Sequence, residues 1–156
     1  MVSPKATAKS GELPRQADNG QHKLSASPAV ATLGRHLLVE LHGCQAARLD
    51  SVSVVVAALE AAAQRIEATI VGKASHRYTP QGVTAILLIA ESHLSIHTWP
   101  EEGYAAVDLY TCGQLDPKPA VDEVRRRLGA TRCEQWEVRR GGAALAIEPG
   151  DTGEPL

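Results

Sequence analysis

The sequence predicts an α+β fold, a two-layer α/β sandwich in which helices pack on one face of a mainly antiparallel sheet. Three observations carry that expectation. Elements read off the chain run strand, helix, several strands, helix, strand, an order suited to helices gathered on one side of a sheet. Two segments repeat apolar residues at helical spacing, and the run Val83 to Ala90 reads as an apolar strand from end to end, the pattern of a strand buried in the middle of a sheet.

The first strand is His36 to Leu41 (HLLVEL), stopped by His42-Gly43. Asp50 or Ser51 can then cap a helix whose apolar positions Val52, Val55, Val56, Leu59, Ala62, Ala63 and Ile66 fall on one face. Thr69-Ile70-Val71 begins a second strand, Pro80-Gln81-Gly82 supplies a turn, and Val83 to Ala90 is the third. Leu94 to Thr98 and Tyr104 to Tyr110 follow as strands, separated by Pro100-Glu101-Glu102-Gly103. Pro119 to Leu128 makes a helix that turns Ala120, Val121, Val124 and Leu128 inward and ends at Gly129, and Cys133 to Val138 is the last strand.

At 156 residues the chain suits a single domain. Residues 1–31 are Ser, Ala, Pro, Lys, Gln and Gly with almost no large apolar side chains, so they read as a disordered N-terminal extension that cannot bury enough surface to offset its ordering entropy. Residues 32–142 form the predicted domain, and 143–156 a flexible C-terminal tail. Sixteen basic residues against eighteen acidic leave the chain near neutral, with no basic cluster beyond Arg125-Arg126-Arg127, which argues against a nucleic-acid partner. The longest apolar run is far short of the roughly twenty residues that span a bilayer, so no membrane role is expected. Nothing at the N-terminus reads as a secretory leader, and Cys44, Cys112 and Cys133 have neither metal nor disulfide spacing. The expected compartment is the reducing cytoplasm.

Chemistry is concentrated in Glu91-Ser92-His93-Leu94-Ser95-Ile96-His97-Thr98-Trp99-Pro100, followed by Glu101-Glu102-Gly103-Tyr104 and Tyr110-Thr111-Cys112-Gly113. Ser92, His97 and Cys112 could supply a nucleophile, a general base and a proton donor, provided the chain folds to bring them together. Taken singly, each has a plain alternative: Ser92 as a surface or capping residue, His97 as a hydrogen-bonded structural histidine, Cys112 as a small buried apolar group. Strand alternation puts His97 on one face with His93 and Ser95, so it does not by itself direct His97 towards Ser92. On the strand Val107 to Tyr110 odd positions face the core, and Cys112 falls in line with Asp108 and Tyr110. His36, His42, His76 and His93 show no metal-ligand spacing and read as structural or exposed.

The ordered set resembles the self-processing segment of the prokaryotic S-adenosylmethionine decarboxylases, pyruvoyl-dependent enzymes that make their cofactor from an internal serine. The likeness runs from Leu33-Gly34-Arg35-His36 to Arg139-Arg140-Gly141. It implies cleavage between Glu91 and Ser92, with Ser92 becoming the pyruvoyl group that forms a Schiff base with the substrate amine. By the same resemblance His97 acts in processing, and Cys112 protonates the substrate carbon after carbon dioxide leaves. Glu101 would hold the ribose hydroxyls, Tyr78 would stack on adenine where relatives commonly have phenylalanine, and Leu94 would lie against the base through its backbone. Thr84 stands where the family's Gly-Val-Ser-Gly turn has a serine that assists processing. The hydroxyl is kept in Gly82-Val83-Thr84-Ala85, but the methyl and the lost glycine crowd that position. Ser75 replaces an aromatic residue often found near the stacking ring.

The implied reaction converts S-adenosylmethionine to its decarboxylated form and carbon dioxide for spermidine and other polyamine synthesis. Pyruvate, as the pyruvoyl group, is then the cofactor, with no metal, and the implied assembly is a homodimer of processed protomers with active sites at the interface. Ser75 and Tyr78 leave room for a pyruvoyl-dependent arginine or ornithine decarboxylase on the same fold. A non-catalytic regulatory homologue is the rival from another class, opposed by the presence of Ser92, His97 and Cys112 together.

Overall fold

The structure, a computed structural model, describes residues 33–112, 115–142 and 146–150. The strands are β1 (Gly34–His42), β2 (Thr69–Arg77), β3 (Val83–Ala90), β4 (Ser92–Trp99), β5 (Tyr104–Thr111), β6 (Arg132–Arg140) and β7 (Ala146–Pro149). The helices are α1 (Ala46–Leu49), α2 (Val52–Arg65) and α3 (Lys118–Leu128), and a 3-10 turn spans Pro100–Glu102. All neighbouring strands are antiparallel, in the order β2-β3-β4-β5-β1-β6-β7.

Alternation along the strands divides the sheet into two unlike faces. Leu37, Val39 and Leu41 of β1, Val83, Ala85, Leu87 and Ile89 of β3, Leu94 and Ile96 of β4, and Ala105, Val107 and Leu109 of β5 are all buried in one core. Val55, Ala58, Leu59, Ala62 and Ala63 of α2 and Ala120, Val121, Val124 and Leu128 of α3 complete it. Each fully buried leucine contributes about 1.5–3 kcal/mol of transfer free energy, and the alanines of α2 let neighbouring backbone approach. Ser51 is the residue that caps α2, its Oγ accepting from the Val54 amide at 3.4 Å. Gly129 ends α3 at φ 71°, a left-handed conformation that suits glycine.

Two expectations need correction, and one helix went unforeseen. The run Val83 to Ala90 is buried on one face only: Leu88 is 49% exposed, because both long helices lie on the opposite side. The supposed flexible tail contributes an ordered strand, β7, which pairs with β6 through Glu137↔Glu148 and Val138↔Ile147. β6 had an edge of unpaired peptide groups to offer, and the exposed Ile147 shows why no apolar alternation marked the strand. Helix α1 is too short for periodicity to reveal. Residues 1–31, 143–145 and 151–156 of the expected extension and tail lie outside the described residues.

Candidate active site

The uncovered face of the sheet carries the chemistry, in two groups at opposite ends of β4. The first surrounds the junction before β4. Ser92 has φ 137°, a backbone region that L residues with side chains rarely occupy. Its register partners are Ile89 on β3 and Thr111 on β5. The amide of Cys112, one residue past β5, donates to the Glu91 carbonyl oxygen at 3.3 Å. A carbonyl so held is polarised towards attack at its carbon. Cys112 is a partly accessible free thiol, whereas Cys44 and Cys133 are buried and burial pushes Cys44 up to about 11.

Around this junction the antiparallel register assembles groups distant in sequence. His93 Nδ1 lies 3.4 Å from Ser92 Oγ. His36 on β1 bonds through Nε2 to Asp108 Oδ1 at 3.2 Å, and Ser95 Oγ donates to Asp108 Oδ2 at 3.5 Å. The rings of His36, His93 and Tyr110 meet edge-on or tilted, with centroids 5.6–6.2 Å apart, and the Arg140 guanidinium sits 5.0 Å over Tyr110. Burial, reinforced by the neighbouring His36 and Arg140 charges and opposed by Asp108, holds His93 below the ordinary histidine pKa. His36 and His93, expected to be structural, therefore belong to the cluster about Ser92. Only the β1–β5–β4 register joins them, which no local pattern reveals.

The second group lies where β3 and β4 meet the turns that flank them. Thr84 and His97 are register partners, and Thr84 Oγ1 is 2.8 Å from His97 Nδ1 and 3.3 Å from the Tyr78 hydroxyl. Gln81 Nε2 donates to Glu101 Oε2 at 2.9 Å. With Trp99 these residues line a cavity of about 300 Å³. Its wall is fixed by Gly82, whose φ of 102° and 3.0 Å approach of a hypothetical Cβ to the Thr98 carbonyl exclude a side chain. The Gly82 amide donates to Asp50 Oδ1 at 3.0 Å, and buried Thr98 accepts from the Val83 amide at 2.8 Å and donates to the Leu49 carbonyl at 2.9 Å. Gln81 and Trp99 had no sequence signal beyond their proximity to Tyr78 and Glu101.

Of the residues singled out in the sequence, Ser92 and Cys112 come together, and so do Tyr78, Thr84, His97 and Glu101. The two sets do not meet within one chain. Ser92 opens β4 and His97 lies towards its other end, so five steps of extended backbone hold them about 16 Å apart. Leu94 is 1% exposed, its side chain in the core between β3 and β5. Ser75 faces the helix side, in a separate cavity between α2 and β2 of about 780 Å³. That larger cavity has its main charges already paired, Lys73 with Glu60 and Arg77 with Asp50. Among the described residues, no group of three or more His, Cys, Asp or Glu is arranged to hold a metal ion, and no helix is long and apolar enough to cross a membrane.

The profile of the family described as S-adenosylmethionine decarboxylase matches residues 35–141. The chain is 44% identical over 117 residues to the S-adenosylmethionine decarboxylase proenzyme of Geobacillus sp. (strain WCH70), covering 75% of this chain and 94% of that one. It is 45% identical over 113 residues to the proenzyme of Thermotoga petrophila, covering 72% and 87%. The crystal structure of the adenosylmethionine decarboxylase from Aquifex aeolicus VF5 superimposes with a TM-score of 0.66 at 35% identity, covering 78% of this chain and 98% of that one.

Proposed function

The chain belongs to the S-adenosylmethionine decarboxylase family, and from that premise we propose that it is made as a proenzyme that cuts itself between Glu91 and Ser92. Its reaction is the decarboxylation of S-adenosylmethionine to the aminopropyl donor of polyamine synthesis. The observation that carries the cleavage reading is the Cys112 amide on the Glu91 carbonyl at 3.3 Å, beside a serine held at φ 137°. Attack by Ser92 Oγ on that carbonyl carbon turns the peptide bond into an ester, and the N–H donor stabilises the charge that gathers on oxygen. Removal of the Ser92 Cα proton then expels the Glu91 carboxylate and leaves dehydroalanine, whose imine tautomer takes up water and releases ammonia to give a pyruvoyl terminus.

Once formed, the pyruvoyl group supplies an electron-poor carbonyl with which the substrate amine can condense and which takes up the electrons left by departing carbon dioxide. The serine hydroxyl, the polarised carbonyl and the neighbouring thiol fit its formation and use at residue 92. Cys112 is the donor that returns a proton to the substrate carbon, because a thiol gives up a proton far more readily than an alcohol near neutral pH. Glu101 and Tyr78 receive the ribose hydroxyls and the adenine ring, one through two acceptor oxygens and the other through its π face. Tyr78 is 48% exposed, so its ring is open to a partner.

His97 and Thr84 serve processing in this reading, and the gap of about 16 Å within one chain supports an assembly that supplies them from a neighbour: a homodimer that apposes the open faces of two sheets would bring His97 of one copy to Ser92 of the other. The cytoplasm is the compartment that suits such an enzyme and its free thiols. Intact mass under denaturing conditions tests the core of the reading. Purified protein resolves into fragments 1–91 and 92–156, and Ser92→Ala stays a single inactive chain. A Ser92→Ala chain still split after residue 91 overturns the mechanism.

A further inference from the structure

His93 takes no part in the steps above, yet its Nδ1 is 3.4 Å from Ser92 Oγ, the only contact of its kind that the Ser92 hydroxyl makes among the described residues. The imidazole is partly buried among groups from every neighbouring element: His36 on β1, Asp108 and Tyr110 on β5, and Arg140 on β6, with apolar Leu88 its register partner on β3. Asp108 is already engaged by His36 and Ser95, so its charge is shared and not spent on fixing an imidazolium at His93. Burial, His36 and Arg140 all act against the protonated ring. These influences favour the neutral ring, in which the nitrogen that faces the hydroxyl can take up its proton.

We propose that His93 is the base that takes the Ser92 hydroxyl proton in the first step of chain cleavage. The inference rests on the self-processing reading and adds to it a second histidine with a different proton. The Oγ–C bond forms at the Glu91 carbonyl carbon as the C–N bond of the Glu91–Ser92 peptide breaks. The hydroxyl proton passes to His93 Nδ1 and from there to the Ser92 nitrogen, which leaves as an amine, so the imidazole ends neutral and no co-reactant is consumed. His97 then acts on the Cα proton. A base has to be next to the hydroxyl before any elimination base is of use, and within one chain His93 meets that need while His97 does not. The 3.4 Å separation is that of a resting contact, of the kind that tightens along a reaction coordinate.

The test follows cleavage of newly translated full-length chains by mass, across pH, with and without hydroxylamine, which splits esters but leaves amides. In the parent the rate falls as pH drops below the ordinary histidine value of about 6.5. His93→Asn keeps a hydrogen-bonding group but no base. It cleaves about a hundredfold more slowly or worse, loses that acidic limb and releases no fragment with hydroxylamine. Imidazole in the buffer restores cleavage to His93→Ala. His36→Gln removes the neighbouring ring that acts against a protonated His93; the limb stays and its midpoint moves up. His93→Asn cleaving at the parental rate with the parental pH profile overturns the proposal, as does accumulation of a hydroxylamine-sensitive ester in that variant, which would put the block after the acyl shift. Failure of imidazole to rescue a His93→Ala chain that melts like the parent overturns it as well. A parent chain never cut between residues 91 and 92 sinks the self-processing reading itself, a result distinct from any of these.

Discussion

The Thr84 hydroxyl lies 2.8 Å from His97 Nδ1, directly across the β3–β4 ladder, and so sets the plane of the imidazole. Both side chains stand on the uncovered face, where packing does little to hold a ring, so the hydrogen bond is the main orienting contact. Its second neighbour is the Tyr78 hydroxyl at 3.3 Å, which ties the pair proposed for processing to the ring proposed as the adenine platform.

Removing that hydroxyl while keeping the shape isolates its role. Thr84→Val slows self-cleavage up to about tenfold, the loss of a hydrogen bond of about 0.5–1.5 kcal/mol, while Thr84→Ser cleaves at least as fast as the parent. Cleavage half-times of newly made chains measure this. Equal half-times for Thr84→Val and the parent would release His97 from dependence on Thr84.

The Arg35–Glu137 pair makes a pH prediction whose sign is fixed. Arg35 Nε and Nη2 donate to the two Glu137 oxygens at 2.8 and 2.7 Å, linking β1 to β6, and the side chains are only 32% and 16% exposed. The Arg35 hydrogen bonds hold Glu137 below the ordinary carboxylate value of 4.5 in the folded chain. A depressed folded pKa contributes stability that is fully present above the unfolded value and is lost as pH falls through the folded one. Glu137→Gln therefore lowers stability by about 1–3 kcal/mol at neutral pH. Denaturant titrations across pH give the check: the gap between parent and variant narrows only below about pH 4.5. A gap that stays constant to pH 3 would show that the charge contributes nothing.

Much of this architecture was legible because two periods dominate the chain. Apolar residues recur in helical spacing from Val52 to Ile66, and core residues alternate along β1, β4 and β5. The short α1 and the edge strand β7 escaped notice, since one has too few residues to show a period and the other keeps Ile147 exposed. For the site, their order in the chain singled out Ser92, Cys112 and His97 as candidates, but not their grouping. Grouping depends on register, which pairs His97 with Thr84 and carries Cys112 to Glu91.

Cys112 offers two groups whose effects separate. Its amide holds the Glu91 carbonyl, and any residue supplies an amide; in the proposed mechanism its thiol acts only during turnover. Cys112→Ser therefore processes at close to the parental rate and then loses turnover by about a hundredfold or more, since an alcohol is a much poorer acid. Protonation astray at the former pyruvoyl carbon leaves the substrate nitrogen on the enzyme, so the second fragment accumulates an alanine terminus as it inactivates. The mass of the fragment that begins at residue 92, followed alongside carbon dioxide release, decides the matter. Parental turnover without the alanine form would return Cys112 to the role of a small packing residue.

The gap between Ser92 and His97 makes the strongest demand on assembly. If each site takes Ser92 from one chain and His97 from its neighbour, chains damaged at different residues can repair one another. A His97→Ala chain keeps its serine and lacks its own histidine, while a Ser92→Ala chain keeps the histidine and can never be cut. In a mixed dimer one of the two sites holds both intact residues and the other holds neither. Co-expressed with different tags in equal amounts, the two variants pair at random and about half of the His97→Ala chains gain a working partner. Those chains should be cleaved after Glu91, the Ser92→Ala chains should stay whole, and neither variant alone should be cut. The readout is the mass of each tagged chain after purification through both tags in succession. Mixed dimers in which the His97→Ala chain remains intact would mean that His97 acts within its own chain, which would require β4 to bend far from the extended strand that keeps it from Ser92.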